Sequence, residues 1–283
     1  MRTLFKLMWL IPALAVAPLA TAQQEASETA EPTVTIDQGP RVQGEPFEYS
    51  TGGETYQGYL ARNVADPEPR PAVLIVHEWW GLNDYVKQRA DQLAALGFVA
   101  LAVDMYGNGR TAGHPDEAGE FSSRVMQDWP TARASLEAAM AKLRENPAVD
   151  GEHIAAIGYC FGGGVVMNMA LAGMPIDAAI SFHGSPTQAV NQPQPFDGIV
   201  QLHNGADDPL VKRDALKAMA AKLKEQGAAI KVVNYPRAKH GFTNPDATAV
   251  GEEHGLPLGY DAAADAASWQ AALLALDKAL NQS

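Results

Sequence analysis

The stretch GYCFGGG at residues 158–164 decides the fold of this chain. Cys160 directly follows the apolar run HIAAIGY (153–159), and a helical pattern begins at Phe161. Cys160 stands between Gly158 and Gly162, which is the spacing of a nucleophile elbow. In such an elbow the reactive side chain sits on a strained strand-to-helix turn, and larger residues two places away would collide with backbone. A cysteine that only packs needs no such glycines, so the pattern predicts that Cys160 is a nucleophile.

Short apolar runs alternate with helical segments along the rest of the chain. The strand-like runs are 71–77, 98–106, 153–159, 178–184, 198–205 and 230–236, and the helical segments are 85–97, 131–145, 161–171, 210–226 and 261–280. Strands that are apolar throughout and alternate with helices predict a parallel sheet covered on both faces. Residues 47–62 alternate around TGGET, which indicates an antiparallel hairpin. Residues 107–120 and 252–260 are expected to be loops.

The first 22 residues differ in character from the rest. Arg2 and Lys6 precede the uncharged apolar run 7–20, and ATA at 20–22 is a small-residue cleavage pattern. This arrangement predicts a signal peptide over residues 1–22 and export, to a bacterial periplasm or outside the cell. An uncleaved anchor is the alternative. Residues 23–45 are expected to form a flexible acidic tether, and residues 46–283 a single α/β domain.

Composition excludes several classes of partner. The chain has 21 basic and 33 acidic side chains, for a net charge of −12, so nucleic acid and anionic membrane surfaces are unsuitable partners. HEWWG at 77–81 lacks the second histidine of a zinc-protease helix, and GNGRTAG at 107–113 lacks dinucleotide-loop spacing. We therefore expect neither cofactor nor metal, and no membrane contact after leader removal. Nothing in the sequence indicates an oligomeric state.

A nucleophile at an elbow needs a base and an orienting acid. In hydrolases of this organisation the chain order is nucleophile, acid, histidine. Asp207 and Asp208 follow one predicted strand, and His240 follows the last one. The order fits, and either carboxylate satisfies it. The remaining histidines that end strands are expected to line the site: His77, His183 and His203.

Together these motifs resemble the dienelactone hydrolase family of the α/β-hydrolase fold, over roughly residues 45–281. The stretches that carry the resemblance are HEWWGLN (77–83), LAALGFVALAVDMYG (93–107), IGYCFGGG (157–164), GADDPLV (205–211) and KHGF (239–242). The resemblance implies a mostly parallel, doubly wound sheet with an N-terminal hairpin. It also implies a triad of Cys160, His240 and Asp208, because D-P-x-V at 208–211 matches the family's register.

The resemblance implies further roles at the same site. Glu78 would interact with the thiol and help to set its protonation state, and the backbone N–H groups of Trp79 and Phe161 would form the oxyanion hole. Family members hold a lactone carboxylate with arginines. The candidates for that role here are Arg110, Arg124 and Arg237.

Two functions follow from these features. The first is an exported hydrolase of small esters or lactones, which uses Cys160 to form an acyl-enzyme. The second is a non-catalytic exported binding or scaffold protein that retains the hydrolase fold. The presence of nucleophile, acid and histidine in the required order favours the first.

Overall fold

A computed structural model describes residues 39–281, which form one compact unit. Its strands are β1 (Val42–Thr51), β2 (Glu54–Asn63), β3 (Arg70–Val76), β4 (Val99–Val103), β5 (Val149–Tyr159), β6 (Ala178–Phe182), β7 (Ile199–Gly205) and β8 (Ala229–Tyr235). Its helices are α1 (Asp84–Ala95), α2 (Pro115–Gln127), α3 (Trp129–Arg144), α4 (Phe161–Leu171), α5 (Arg213–Glu225), α6 (Ala247–His254) and α7 (Ala262–Leu280).

The strands form one sheet in the order β1-β2-β4-β3-β5-β6-β7-β8. The first two strands make the expected antiparallel hairpin, and β2 also pairs antiparallel with β4. All other neighbours are parallel. The fold is therefore that of an α/β-hydrolase, as the sequence predicted.

A hydrophobic layer covers each face of the sheet. On one face, Leu74 and Leu101 pack with Leu136 of α3 and Val165 of α4. On the other face, the neighbouring strand residues pack against α1 and α7, and Ile75 lies in one hydrophobic cluster with Leu93 of α1 and Leu276 of α7. Adjacent strand residues point to opposite faces, so strands covered by helices on both sides are apolar throughout.

Three elements differ from the expectations. β1 begins at Val42, inside the segment expected to be a tether, so the folded domain begins before residue 46. α2 occupies part of the glycine-rich stretch expected to be a loop, and α6 reaches into the expected loop 252–260. α2 buries only Ala118 completely, and α6 has eight residues, so neither has a long apolar stripe.

The expected signal peptide (1–22) and most of the expected tether (23–45) lie outside the described residues. Within residues 39–281, no helix has the length and apolar character needed to cross a membrane.

The elbow between β5 and α4 is a tight turn in which backbone segments approach each other closely. Cys160 has φ 53° and ψ −114°, a backbone conformation that residues other than glycine rarely adopt. A Cβ on Gly158 would overlap the Gly162 carbonyl, and one on Gly162 would overlap the Val76 carbonyl. The Gly162 N–H donates to the His77 carbonyl at 3.1 Å, which ties the start of α4 to the end of β3.

This close approach predicts a large penalty for Gly162→Ala. The added methyl group meets fixed backbone, so we expect a loss of about 3 kcal/mol or more in the free energy of unfolding, measured by urea denaturation. Gly119→Ala is the matched control, because Gly119 lies in α2 and a Cβ there meets nothing within 4 Å. The control should gain about 0.5–1 kcal/mol. Equal stability of the two variants would contradict the steric account.

The histidines that end the strands are buried and neutral. His203 is 1% exposed, and its Nδ1 and Nε2 lie 2.9 Å from the Tyr235 hydroxyl and the Gln201 side-chain oxygen. A neutral ring satisfies both partners, with Nε2–H donating and Nδ1 accepting. Burial, followed by the charge of Lys231, lowers the pKa of His203 to about 4.

A lowered histidine pKa makes stability depend on pH. Between about pH 6.5 and pH 4 the unfolded chain binds the proton and the folded chain does not, so stability falls as the pH falls. The pKa of His203 is about 4 in the folded chain, against the ordinary histidine value of 6.5 in the unfolded chain. His203 therefore lowers the free energy of unfolding by about 2 kcal/mol between pH 7 and pH 5. We expect the free energy of unfolding of the wild type to exceed that of His203→Gln by about 2 kcal/mol less at pH 5 than at pH 7, measured by urea denaturation. A difference independent of pH would contradict a neutral buried His203.

Candidate active site

The carboxyl ends of the parallel strands bring the candidate residues to one edge of the sheet. Glu78 and Trp79 follow β3, Cys160 follows β5, Asp208 follows β7 and His240 follows β8. This is the edge at which open parallel sheets bind ligands. The separate motifs of the sequence therefore converge in space.

Asp208 and His240 form a buried hydrogen-bonded pair. His240 Nδ1 lies 2.9 Å from Asp208 Oδ2, and Asp208 Oδ1 accepts the backbone N–H groups of Leu210 at 2.8 Å and Val211 at 3.1 Å. Asp207 is exposed, and within the described part of the chain its carboxylate has no hydrogen-bond or ion-pair partner. Of the two adjacent carboxylates, the structure therefore directs Asp208 toward the histidine.

The charge state of His240 depends on its two neighbours. Burial lowers the pKa of His240, but interactions with Cys160 and Asp208 outweigh burial and raise that pKa to about 10. Because Asp208 occupies Nδ1, Nε2 is the ring nitrogen left for Cys160. A histidine held in this way can accept a thiol proton and is stabilised once it carries the proton.

Two backbone N–H groups are available beside Cys160. Within residues 39–281, the N–H groups of Trp79 and Phe161 have no hydrogen-bond acceptor. Phe161 is the first residue of α4, where the helix leaves its N–H groups unpaired. These two donors are the ones expected to form the oxyanion hole.

His77 orients the peptide unit that carries one of these donors. Its Nδ1 lies 2.5 Å from the Glu78 carbonyl oxygen, and its Nε2 accepts the Met105 N–H at 3.3 Å. Tyr106 donates its hydroxyl to the next carbonyl, that of Trp79, at 2.8 Å. In a trans peptide the C=O and N–H point in opposite directions, so fixing the Glu78 carbonyl also directs the Trp79 N–H. His77 is thus a positioning residue behind the site, a role that the sequence pattern did not specify.

Glu78 lies in the same cavity as Cys160 and is held by an amide. Glu78 is 6% exposed, and its Oε2 accepts a hydrogen bond from Asn244 Nδ2 at 2.7 Å. Burial raises the pKa of Glu78, against smaller lowering effects from Asn244 and His240. Asn244 was not predicted as a site residue, because an asparagine in a polar loop after the KHGF motif has no distinctive sequence signal.

His183 supports the elbow from behind. The Cys160 N–H lies 3.1 Å from His183 Nδ1 and 3.0 Å from the Phe182 carbonyl oxygen. The opposite ring nitrogen, Nε2, lies 2.8 Å from Thr243 Oγ1. Burial, followed by the nearby charges of His240 and Arg89, lowers the pKa of His183 well below its ordinary value. His183 is therefore a neutral support for the Cys160 backbone.

Other polar groups at this edge have structural partners. Asp104 is fully buried and accepts four backbone N–H groups, from Gln57, Tyr106, Gly107 and Gly109, at 2.8–3.0 Å. In the part of the chain that the structure describes, no three His, Cys, Asp or Glu side chains are grouped to hold a metal ion.

Two cavities meet at Cys160. The larger has a volume of about 510 Å³ and includes Glu78, Cys160 and His240 in its lining. The smaller, about 270 Å³, includes Cys160 and Phe161 but not His240. The Cys160 thiol therefore has space on two sides.

The arginine candidates lie elsewhere. Arg110 and Arg124 line a separate cavity of about 490 Å³ that does not include Cys160. Arg237 is exposed and lines neither cavity at the nucleophile. The structure therefore places none of the three beside the thiol.

Comparison with known proteins gives a consistent result. The family model described as dienelactone hydrolase family matches residues 56–280. The chain is 30% identical to "Protein usf" of Aquifex pyrophilus and 28% identical to a "Putative carboxymethylenebutenolidase" of Aquifex aeolicus; each match covers 71% of this chain and 87% of the relative. A crystal structure of a dienelactone hydrolase-like promiscuous phosphotriesterase from metagenomic libraries superposes with a TM-score of 0.77 at 33% identity, covering 86% of this chain and 100% of that chain. The chain belongs to the dienelactone hydrolase family and is a hydrolase of esters or lactones.

Proposed function

We propose that Cys160 is the nucleophile of this hydrolase and that small esters or lactones are cleaved through an acyl-enzyme. The observation that carries the proposal is the position of Cys160: a cysteine with φ 53° at the start of α4, next to the His240–Asp208 pair. A backbone in this region is strained, and such strain persists at sites where the protein uses it. Packing alone gives no reason to keep a cysteine there.

The proposed reaction follows from the geometry. His240 accepts the thiol proton through Nε2, and the thiolate attacks the substrate carbonyl carbon. The N–H groups of Trp79 and Phe161 donate to the oxygen as it gains negative charge. His240 then returns the proton to the departing alcohol oxygen, and water, activated by the same ring, releases the acid from Cys160. Asp208 stabilises the imidazolium form of His240 in both halves of the reaction.

The positive end of α4 supports the thiolate. Cys160 is the residue before the first turn of α4, where unpaired N–H groups and the helix dipole favour negative charge. Glu78 opposes that charge from the same cavity. We propose that Glu78 moderates ionisation of the thiol and that Asn244 holds the carboxylate in place for this role.

The relatives give two reaction classes to test. The relative from Aquifex aeolicus has a name that denotes hydrolysis of a lactone, and the structural relative is described as a phosphotriesterase. A neutral phosphotriester is a second candidate substrate, because the elbow and the two N–H donors present the same features to a phosphoryl oxygen as to a carbonyl oxygen.

We propose export on the pattern of residues 1–22, which combines a basic start, an apolar run and a small-residue cleavage pattern. The non-catalytic scaffold is less well supported. A scaffold needs neither a buried acid–histidine pair nor free N–H groups aimed at the same thiol.

The two adjacent aspartates should respond differently to the same change. Asp208→Asn removes the acceptor that fixes the His240 tautomer, and we expect kcat to fall about 10²–10⁴-fold. Asp207→Asn is the matched control and should stay within about twofold, because its carboxylate is exposed and unpaired. Hydrolysis of p-nitrophenyl acetate measures both. Equal losses would show that the acid is misassigned.

The nucleophile is tested by Cys160→Ala with a panel of esters, thioesters, lactones and a neutral phosphotriester. We expect loss of at least about 10³-fold in kcat/KM for every substrate that the wild type hydrolyses. Stoichiometric iodoacetamide should label wild-type Cys160 and abolish the same activities. Full activity of the folded Cys160→Ala variant would overturn the proposal, and absence of any hydrolysis by the wild type would favour the scaffold.

A further inference from the structure

The two cavities at Cys160 differ in charge. Four carboxylate side chains line the larger cavity: Glu78, Asp84, Asp246 and Glu253. None of the described residues that line it is a lysine or an arginine. The smaller cavity contains Ser122, Ser123, Met126, Ser185 and Thr187 beside the elbow, and among the described residues its lining has no charged side chain other than the thiolate that Cys160 forms.

The charge of the larger cavity is only partly neutralised. Asp84 pairs with Lys87 at 3.4 Å, but the Asp84 side chain is 89% exposed, so solvent screens that pair. Asp246 and Glu253 are exposed, and no ion pair to either is found in residues 39–281. The cavity therefore presents a negative field to whatever enters it.

Buried charges near the cavity do not reverse this field. Arg89 is 6% exposed and is paired with Asp265 at 2.5 Å, so its charge is compensated away from the cavity. His240 and Cys160 exchange one proton between them and add no net charge as a pair. The His254 ring lies near the Trp80 ring, with centroids 5.7 Å apart, and brings an aromatic surface to the same wall.

The position of His240 assigns each cavity to one part of the substrate. The departing alcohol receives its proton from His240, so it must lie on the side of the thiol where His240 is found. His240 lines the larger cavity and not the smaller one. The acyl part then occupies the smaller, uncharged cavity beside the two N–H donors.

We propose that this hydrolase selects substrates by the charge of the alcohol part, in the order cationic, neutral, anionic, with a small uncharged acyl part. The inference rests on the proposed function. Carboxylates at the rim attract a cationic alcohol, and the indole face of Trp80 adds a cation–π surface. A carboxylate on the alcohol part meets like charges with no arginine to pair with. The same cavity therefore disfavours substrates whose leaving part is an acid.

A matched series of acetate esters tests the order. Acetylcholine, 3,3-dimethylbutyl acetate and 4-acetoxybutanoate carry a cationic, a neutral and an anionic alcohol part of similar size. Acetate release gives kcat/KM, and each value is divided by the hydroxide-catalysed rate of the same ester. We expect steps of about three- to tenfold between neighbours at low ionic strength, which shrink at about 0.5 M salt. A cation no better than the neutral ester, or an anion as good as it, would overturn the proposal.

Variants locate the effect in the cavity. Asp246→Asn combined with Glu253→Gln should remove the advantage of acetylcholine over the neutral ester. Glu48→Gln combined with Glu225→Gln removes two exposed charges that do not line the cavity and should keep the order. Loss of the order in both double variants would mean that overall charge, and not this cavity, sets the preference.

The assignment of sides has its own test. The charge is moved to the acyl part by comparing the 4-(trimethylammonio)butanoyl and 5,5-dimethylhexanoyl esters of ethanol. The ratio of kcat/KM for the cationic ester to that for the neutral ester should be smaller here than when the charge is on the alcohol part. A larger ratio here would show that the acyl and alcohol parts occupy the opposite cavities. Hydrolysis of the neutral ester without any charge order leaves Cys160 as the nucleophile and overturns only this inference. No hydrolysis of any ester or lactone would overturn both.

Discussion

The site depends on the close approach of α4 to the end of β3. Gly162 has no side chain, so its N–H reaches the His77 carbonyl at 3.1 Å and its Cα lies against the Val76 carbonyl. This contact puts the first N–H of α4 beside the peptide that follows His77. One backbone contact therefore positions the thiol and the two N–H groups that we propose as oxyanion donors. Glycine at 162 is a requirement of the active site as much as of packing.

Neutral buried histidines also hold the backbone around the elbow in place. His77 holds the Glu78 carbonyl, and His183 accepts the Cys160 N–H. Each ring must stay neutral to donate through one nitrogen and accept through the other. Burial lowers the pKa of both rings, so the hydrogen bonds that position the elbow survive at neutral pH. His240 differs because Cys160 and Asp208 raise its pKa against the effect of burial. Histidine is therefore a neutral support at positions 77 and 183 and the base that we propose at position 240, according to its neighbours.

The sequence predicted the sheet and the elbow because both leave periodic or steric signals. Apolar strands covered on two faces have a recognisable composition, and glycines at 158 and 162 are required by contacts with backbone. The choice of Asp208 over Asp207 came from a family resemblance, since two adjacent carboxylates in a turn look alike. Asn244 and the supporting roles of His77 and His183 depend on contacts between distant segments. α2 and α6 were missed because their stripes of buried residues are short.

The two cavities show how this family fold can take different substrates on one reactive centre. In the proposed mechanism the elbow, the acid–histidine pair and the N–H donors act on the carbonyl group alone, and they do not distinguish the other parts of the ester. The charge discrimination that we propose comes from side chains that surround the alcohol part. Here those side chains come from the β3–α1 segment and from α6 and the loop before it, which carry Asp84, Asp246 and Glu253. These segments lie outside the strands of the sheet, so their composition can change without disturbing the contact between Gly162 and His77. On this proposal, substrate choice is separable from the chemistry because different parts of the chain carry the two.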